Sequence, residues 1–323
     1  MGNKILIIGQ LIYVLNFSIS DDFDSLSAAA KDIFSTDAND VHRSYNGMAA
    51  NIAYGLSLLD SSSPIIISQV GHDFDWSYRP HLERLGIELK LFIDPQKETF
   101  HLYRIEDKQN RVLTFKQENS YRFFAERDIL EVIEPSDFRH LSAGYVATGK
   151  VEADSKFISS INEHGKNLPL IYSPDDNISE LTKWRLTQIV DKITLLVCTE
   201  DELTTIENRM KLSKDEILKS SKRLKYIISL TDRSRIVIYS ENFKMKVSEG
   251  PAEEVLAANS WKDAFRAGII YGVSLKKPIE EAAQLGSALA SYAVERRENQ
   301  QYSPSFEQIK LRAFEVKTVH KTK

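Results

Sequence analysis

Five short apolar runs, KILIIG, PIIISQVG, PLIYSP, ITLLVCT and YIISLT, punctuate this chain, and stretches of helical period separate them. Strands with so little polar alternation are buried on both faces, and strands of that kind joined by helices make a parallel α/β sheet. The helical period is plain in MAANIAYGLSLL, in WSYRPHLERLG, in KDEILKSSKRLK and across residues 263–297. Pro278 divides the last stretch into two helices, because proline lacks an N–H and clashes with the preceding turn. Two regions depart from this pattern. Residues 11–45 mix apolar alternation with the polar insert DDFDSLSAAAKD, and ETFHLYRIEDKQNRVLTFKQ alternates around a turn at 107–110. The second reads as a β-hairpin. The C-terminal KTVHKTK reads as a frayed basic tail.

Composition narrows the class. With 323 residues, one large α/β core with a small appendage is the expected organisation. Hydrophobic residues at 42% and charged residues at 27% exclude global disorder. A net charge of −4 argues against a protein that coats nucleic acid or an anionic membrane, since both require concentrated Lys and Arg. No run reaches the length of a membrane span and no signal-peptide pattern follows MGNKILIIGQ, so a cytoplasmic location is expected. Cys198 is the single cysteine, which rules out an internal disulfide, and its place in TLLVCTE marks a buried strand residue rather than a nucleophile. The seven histidines are scattered without the spacing of a metal site.

The chemistry concentrates in Trp261-Lys262-Asp263-Ala264-Phe265-Arg266-Ala267-Gly268, where an acidic residue opens an apolar helix. A carboxylate there, beside free backbone N–H groups, can accept a hydroxyl proton next to a transferring phosphoryl group. Asp263 is equally suited to capping the helix. The segment resembles the C-terminal signature of the ribokinase-like (PfkB) family of sugar and nucleoside kinases, Asp-Thr-x-Gly-Ala-Gly-Asp-Ala-Phe-x-Ala-Gly. NGMAANIAYGLSLLD (46–60) resembles that family's N-terminal signature, and PIIISQVGHDF and HLERLGIEL resemble the pieces that follow it in the same order. The wording of AANIAYGL, DAFRAGIIYG and LGSALASYAVERRENQ is most similar to the adenosine-kinase-like branch.

This resemblance implies a three-layer α/β/α sandwich with a mostly parallel central sheet and a small β-sheet lid. Residues 1–10, 46–92 and 121–323 would form the main domain, and residues 11–45 and 93–120 the lid. Asp263 would be the catalytic base, and Ser260, Trp261 and Lys262 would occupy the anion-hole position in place of Gly-Ala-Gly. Glycines at such a turn let the backbone approach phosphate oxygens. Here Lys262 could supply a point charge, whereas the Trp261 indole is expected to crowd the space. Asn46, Gly47 and Asn51 fall where the family contacts its acceptor, Asn46 standing in for a glycine. Thr199 to Glu202 replaces Asn-x-x-Glu, keeping only Glu202 for the water around the metal, and the nucleotide turn falls near Thr231 without its glycines. Two family aspartates are replaced by Val14 and Ala257, with Asn16 a weak substitute for the first. Phe100, Tyr103 and Phe115 are expected to pack within the lid, and His72 and Asp73 to serve as structural contacts.

Two functions follow. The first is an ATP- and Mg2+-dependent kinase that phosphorylates a hydroxymethyl group on a sugar or an adenosine-like nucleoside, binding neither nucleic acid nor membrane and pairing with a second copy through the lid. The second is a catalytically degenerate homologue that uses the same fold to bind a ligand or a partner.

Overall fold

The computed structural model describes residues 3–29, 35–257 and 260–322. KILIIG lies in β1 (Asn3–Gly9), and the chain continues through β2 (Ile12–Ile19), β3 (Ala38–Asn46), β4 (Ser62–Gly71) and β5 (Glu88–Asp94). It then forms β6 (Phe100–Glu106), β7 (Val112–Gln117), β8 (Leu141–Ala147), β9 (Leu170–Tyr172) and β10 (Leu195–Cys198). The last strands are β11 (Tyr226–Leu230), β12 (Ile236–Tyr239), β13 (Phe243–Val247) and β14 (Thr318–Thr322). Ten of these make one sheet in the order β14-β13-β12-β11-β10-β9-β8-β1-β4-β5. From β11 to β5 all neighbours are parallel, and β12, β13 and β14 extend the sheet antiparallel.

Alternation along β1 divides the interior into two cores. Ile5 and Ile7 join one cluster and Leu6 and Ile8 the other, all fully buried. The first cluster is closed by α2 (Met48–Ser57), α8 (Trp261–Ser274), α9 (Ile279–Val294) and α10 (Phe306–Glu315). The second is closed by α4 (Val151–His164), α5 (Lys183–Val190), α6 (Glu200–Met210) and α7 (Lys214–Ser220). The result is the expected three-layer sandwich. On the first face α8 and α9 cross so closely that a Cβ on Gly268 would stand 2.4 Å from the backbone of Gly286, which fixes α8 rigidly above the sheet.

A second, four-stranded sheet has the order β3-β2-β6-β7. It is inserted between β1 and α2 and again after β5, so both excursions leave from the carboxyl ends of parallel strands. Such ends are where open α/β sheets place their ligands. The β6–β7 hairpin matches the expectation. Asp107 accepts from Gln109 N and Arg111 N at 2.9 Å, and Asn110 takes the left-handed φ of 60° that tight turns require. The polar insert contains α1 (Phe23–Ala29), which its composition did not announce, while residues 30–34 lie outside the described structure.

Two further readings are corrected. KTVHKTK is not a frayed tail: Thr318–Thr322 pairs antiparallel with β13 from Val247↔Thr318 to Phe243↔Thr322. Thr318 Oγ1 donates to Glu280 Oε1, and His320 Nε2 lies 3.2 Å from Glu280 Oε2. The segment lacks an apolar face of its own because it is an edge strand, where lysines also discourage pairing with other chains. The helix in KDEILKSSKRLK stops at Ser220, because the Ser221 hydroxyl accepts from Arg223 N and Leu224 N and so competes with the helix ladder.

Candidate active site

The site is built where two helices begin. β3 ends at Asn46 and α2 begins at Met48, with Gly47 alone between them. Gly47 has φ 107°, and a Cβ there would lie 2.4 Å from the Gln10 carbonyl oxygen, so only glycine turns the chain from strand to helix at this point. That turn places Asn51, one helical turn on, against the first turn of α8. Asn51 Nδ2 donates to Asp263 Oδ2 at 2.9 Å and to Asn46 Oδ1 at 2.8 Å. Asn46 Oδ1 also accepts from Gly47 N at 2.8 Å and from Asn299 Nδ2 at 3.1 Å. Asn46, Gly47, Asn51 and Asp263 are thus brought into one network.

Asp263 is held on both oxygens. Arg266, one turn further along α8, donates from Nη1 to Oδ1 at 2.7 Å, and the side chains are 7% and 20% exposed respectively. The carboxylate is therefore only partly exposed, with its Oδ2 edge turned toward Asn51. It does not cap the helix. Neither does Ser260, the residue before α8: its hydroxyl points back to Ala257 O at 3.0 Å and Ala293 O at 3.1 Å, and α8 has no side-chain cap. Among the described residues no side chain caps the first turn of this 14-residue helix, the end where the helix dipole favours negative charge.

Trp261 departs from its expectation. Its indole is 3% exposed, belongs to the same core cluster as Ile269 and Ala293, and meets Phe265 edge-on at 6.4 Å between ring centroids. The packed core accounts for a tryptophan at this position. Lys262 is partly exposed, and its side chain makes no hydrogen bond or ion pair among the described residues. Ala257, at the position of a missing aspartate, is pinned by its N–H to Val294 O at 3.1 Å. Val14, the other such position, is 5% exposed and packs in the core beside Ile12, while Asn16 is spent on Ser44 Oγ at 2.9 Å.

Thr199, Glu202 and Thr231 gather at the carboxyl ends of β10 and β11. Thr199 Oγ1 accepts from Glu202 N at 3.2 Å while Glu202 Oε2 accepts from Thr199 N at 2.7 Å, a reciprocal cap on α6. Thr231 Oγ1 donates to Glu200 Oε2 at 3.0 Å. In the turn that follows, Asp232 Oδ1 accepts from Ser234 N at 2.9 Å and from Ser234 Oγ at 2.7 Å, and Arg233 Nη2 reaches Gly250 O at 2.8 Å. Side-chain hydrogen bonds shape this turn where glycine would otherwise do so. The buried Cys198 thiol beside it is pushed well above its usual range by desolvation, which makes it inert. Asp73, as expected, is structural: its Oδ1 accepts from Thr99 N and Oγ1, each at 2.7 Å.

Several residues of the site were not singled out by the sequence reading. Tyr78 donates from its hydroxyl to Asn46 O at 2.6 Å, and Gln300 Nε2 donates to Asn51 Oδ1 at 2.8 Å. Gln300 Oε1 in turn faces His81 Nε2 at 3.0 Å. Gln300 closes the segment LGSALASYAVERRENQ and His81 opens HLERLGIEL, so both lay in stretches that carry the family resemblance, but neither was singled out as a site residue.

An α/β sandwich with a small cover sheet, and a carboxylate seated on an uncapped helix N-terminus, has the ribokinase-like architecture of small-molecule kinases. Residues 4–305 match the family described as pfkB family carbohydrate kinase, and the chain belongs to that family. A nucleoside kinase of Methanocaldococcus jannaschii is 26% identical over 267 residues, 82% of this chain and 84% of that protein. The solved structure of the nucleoside kinase from that organism, an archaeal member of the ribokinase family, aligns with a TM-score of 0.84 at 22% identity over 97% of this chain and 98% of that one. Burkholderia thailandensis nucleoside kinase in complex with inosine aligns at 0.77 with 18% identity, covering 96% of each chain. Arabidopsis thaliana ribokinase complexed with ribose and ATP aligns at 0.79 with 14% identity, covering 97% of this chain and 99% of that one.

Proposed function

We propose that this protein is an ATP-dependent kinase that phosphorylates the hydroxymethyl group of a nucleoside. The observation that carries the reading is Asp263, held by Asn51 and Arg266 in the first turn of a helix whose N-terminus has no side-chain cap. Phosphoryl transfer needs chiefly positioning and charge stabilisation. Asp263 would take the proton of the acceptor hydroxyl as its oxygen forms the new bond to the γ-phosphorus and the bond to the ADP leaving oxygen breaks. Arg266 stays on the other carboxylate oxygen throughout. The N–H groups at Trp261 and Lys262, with the Lys262 ammonium, would face the transferring phosphoryl group.

Asn46, Gly47 and Asn51 would line the acceptor side, and Thr231 with the α6 N-terminus the nucleotide side. Among the described residues no three His, Cys, Asp or Glu side chains group as a metal cage. Mg2+ commonly uses substrate phosphates and water with one or two carboxylates, and that pattern suits this site. Glu202, with one oxygen committed to Thr199, would offer the other to the metal's water shell.

Residues 11–45 and 93–120 would act as a lid that excludes water. Leu113 and Phe115, 43% and 53% exposed on the outer strand β7, are where a second copy would pack to form a homodimer. No helix among the described residues is long and apolar enough to cross a membrane. The single free cysteine, Cys198, suits a reducing compartment and supports a cytoplasmic location.

The test is calorimetric titration with ATP and Mg2+, followed by phosphorylation assays on a panel of nucleosides and free pentoses. Metal-dependent ATP binding and transfer to nucleosides over pentoses are expected. Absence of ATP binding at millimolar concentration would replace the kinase reading with that of a ligand-binding homologue.

A further inference from the structure

The segment after α9 carries three consecutive polar side chains, and each holds a different part of the acceptor side. Glu298 Oε1 lies 2.5 Å from His42 Nε2, on strand β3 of the small sheet. Asn299 Nδ2 donates to Asn46 Oδ1, where β3 ends. Gln300 Nε2 donates to Asn51 Oδ1 at 2.8 Å and to the Tyr78 hydroxyl at 3.2 Å. Gln300 is 6% exposed and has φ 60°. A residue other than glycine holds that conformation where its surroundings impose it. Strand β3 reaches the same group a second way, since the Tyr45 ring stacks on both Tyr78 and His81 at 4.5 Å between centroids.

Hydrogen-bond direction makes this chain run one way. The Asp263 carboxylate accepts, so the group of Asn51 that faces it is the NH2. Asn51 therefore turns its oxygen to Gln300, which must answer with its own NH2. The Gln300 oxygen then faces His81, whose Nε2 must carry the proton. Burial holds the His81 pKa below its ordinary value, which favours the neutral ring with one such proton. Each amide in the series has one orientation that satisfies both neighbours, and Gln300 is the link between the segment and Asn51.

We propose that Glu298, Asn299 and Gln300 form a positioning segment that makes the seating of strand β3 and the alignment of Asp263 a single event. The inference rests on reading Asp263 as the base. With β3 seated, Glu298 holds His42, Asn299 holds Asn46, and Gln300 fixes the amide that aims the Oδ2 edge of Asp263. With β3 displaced, the segment loses its outer anchor and Asn51 loses its fixed orientation. None of the three residues is placed on substrate; they act through Asn46 and Asn51.

Gln300→Met keeps the side-chain length but can neither donate to Asn51 nor accept from His81. It is expected to lower kcat by about 10- to 100-fold, the scale of a small misplacement of a reacting group, while KM for acceptor and ATP changes less than about threefold. Glu298→Gln, at a partly exposed position, removes the charge opposite His42 and is expected to lower kcat by a few-fold. The measurement that does not depend on turnover is the side-chain NH2 resonance of Asn51, which should shift in both variants. An unmoved Asn51 resonance in either folded variant overturns the proposal. An Asn51 shift in a protein that phosphorylates nothing supports the coupling and removes the kinase reading alone.

Discussion

Around Asp263 the polar groups converge from elements far apart in the chain: Asn46 from β3, Asn51 from α2, Tyr78 and His81 from α3 (Tyr78–Arg84), Arg266 from α8 and Gln300 from the segment after α9. Around Thr231 they are mostly local, with Asp232 bonding Ser234 and Arg235 and Thr199 bonding Glu202. A network assembled from distant elements exists only in the folded protein, and it holds one carboxylate in one orientation. A network of near neighbours shapes a turn but leaves its outward face to be completed by whatever binds. On the proposed reading the acceptor side would therefore be preorganised, and the nucleotide side would depend more on its ligand.

The largest expected effect that breaks this contrast is at Asp263. Asp263→Asn should lower kcat by about 10²- to 10⁴-fold, the usual contribution of a general base. It also takes a negative charge from a guanidinium that is 7% exposed, so stability should fall as well. A drop in melting temperature of roughly 2–6 °C is expected for a chain of this size, read by calorimetry. Full activity in the variant would remove Asp263 as the base.

Glu202 sharpens the nucleotide side. Glu202→Gln preserves the reciprocal cap with Thr199, since an amide oxygen accepts the same N–H, but weakens any hold on metal-bound water. The Mg2+ concentration for half-maximal rate should rise about threefold, with the melting temperature unchanged. An unaltered Mg2+ requirement would confine Glu202 to capping α6.

The smallest effect is the pH response of the contact between β3 and the body. Hydrogen bonds to the carboxylates of Asp40 on its own strand and of Glu298 across the gap raise the His42 pKa above its ordinary 6.5, and Asn16, its register partner on β2, is uncharged. A raised pKa favours the contact below that ordinary value, and the advantage is lost as pH rises through the raised one. KM for the acceptor should therefore increase modestly between pH 6 and pH 9, and His42→Asn should flatten the profile. An identical profile in the variant would show that His42 does not report on lid closure.

The sequence alone determined the strand runs, the parallel α/β character and the helix break at Pro278, because burial pattern and proline chemistry act over a few residues, while the three layers and the role proposed for Asp263 came from the resemblance to the family signatures. The resemblance also put Asn46, Gly47 and Asn51 where the family contacts its acceptor. Other features were decided by tertiary structure. KTVHKTK becomes a strand because β13 presents an unpaired edge. Trp261 finds its place in the core cluster that holds Phe265. Glu202, which the signature implies for chemistry, also secures a helix end. Gln300 sits 249 residues from Asn51, and no local pattern encodes their contact. Periodicity records which face of an element is buried, whereas a hydrogen bond between distant polar side chains depends on where separate elements dock, and only packing fixes that.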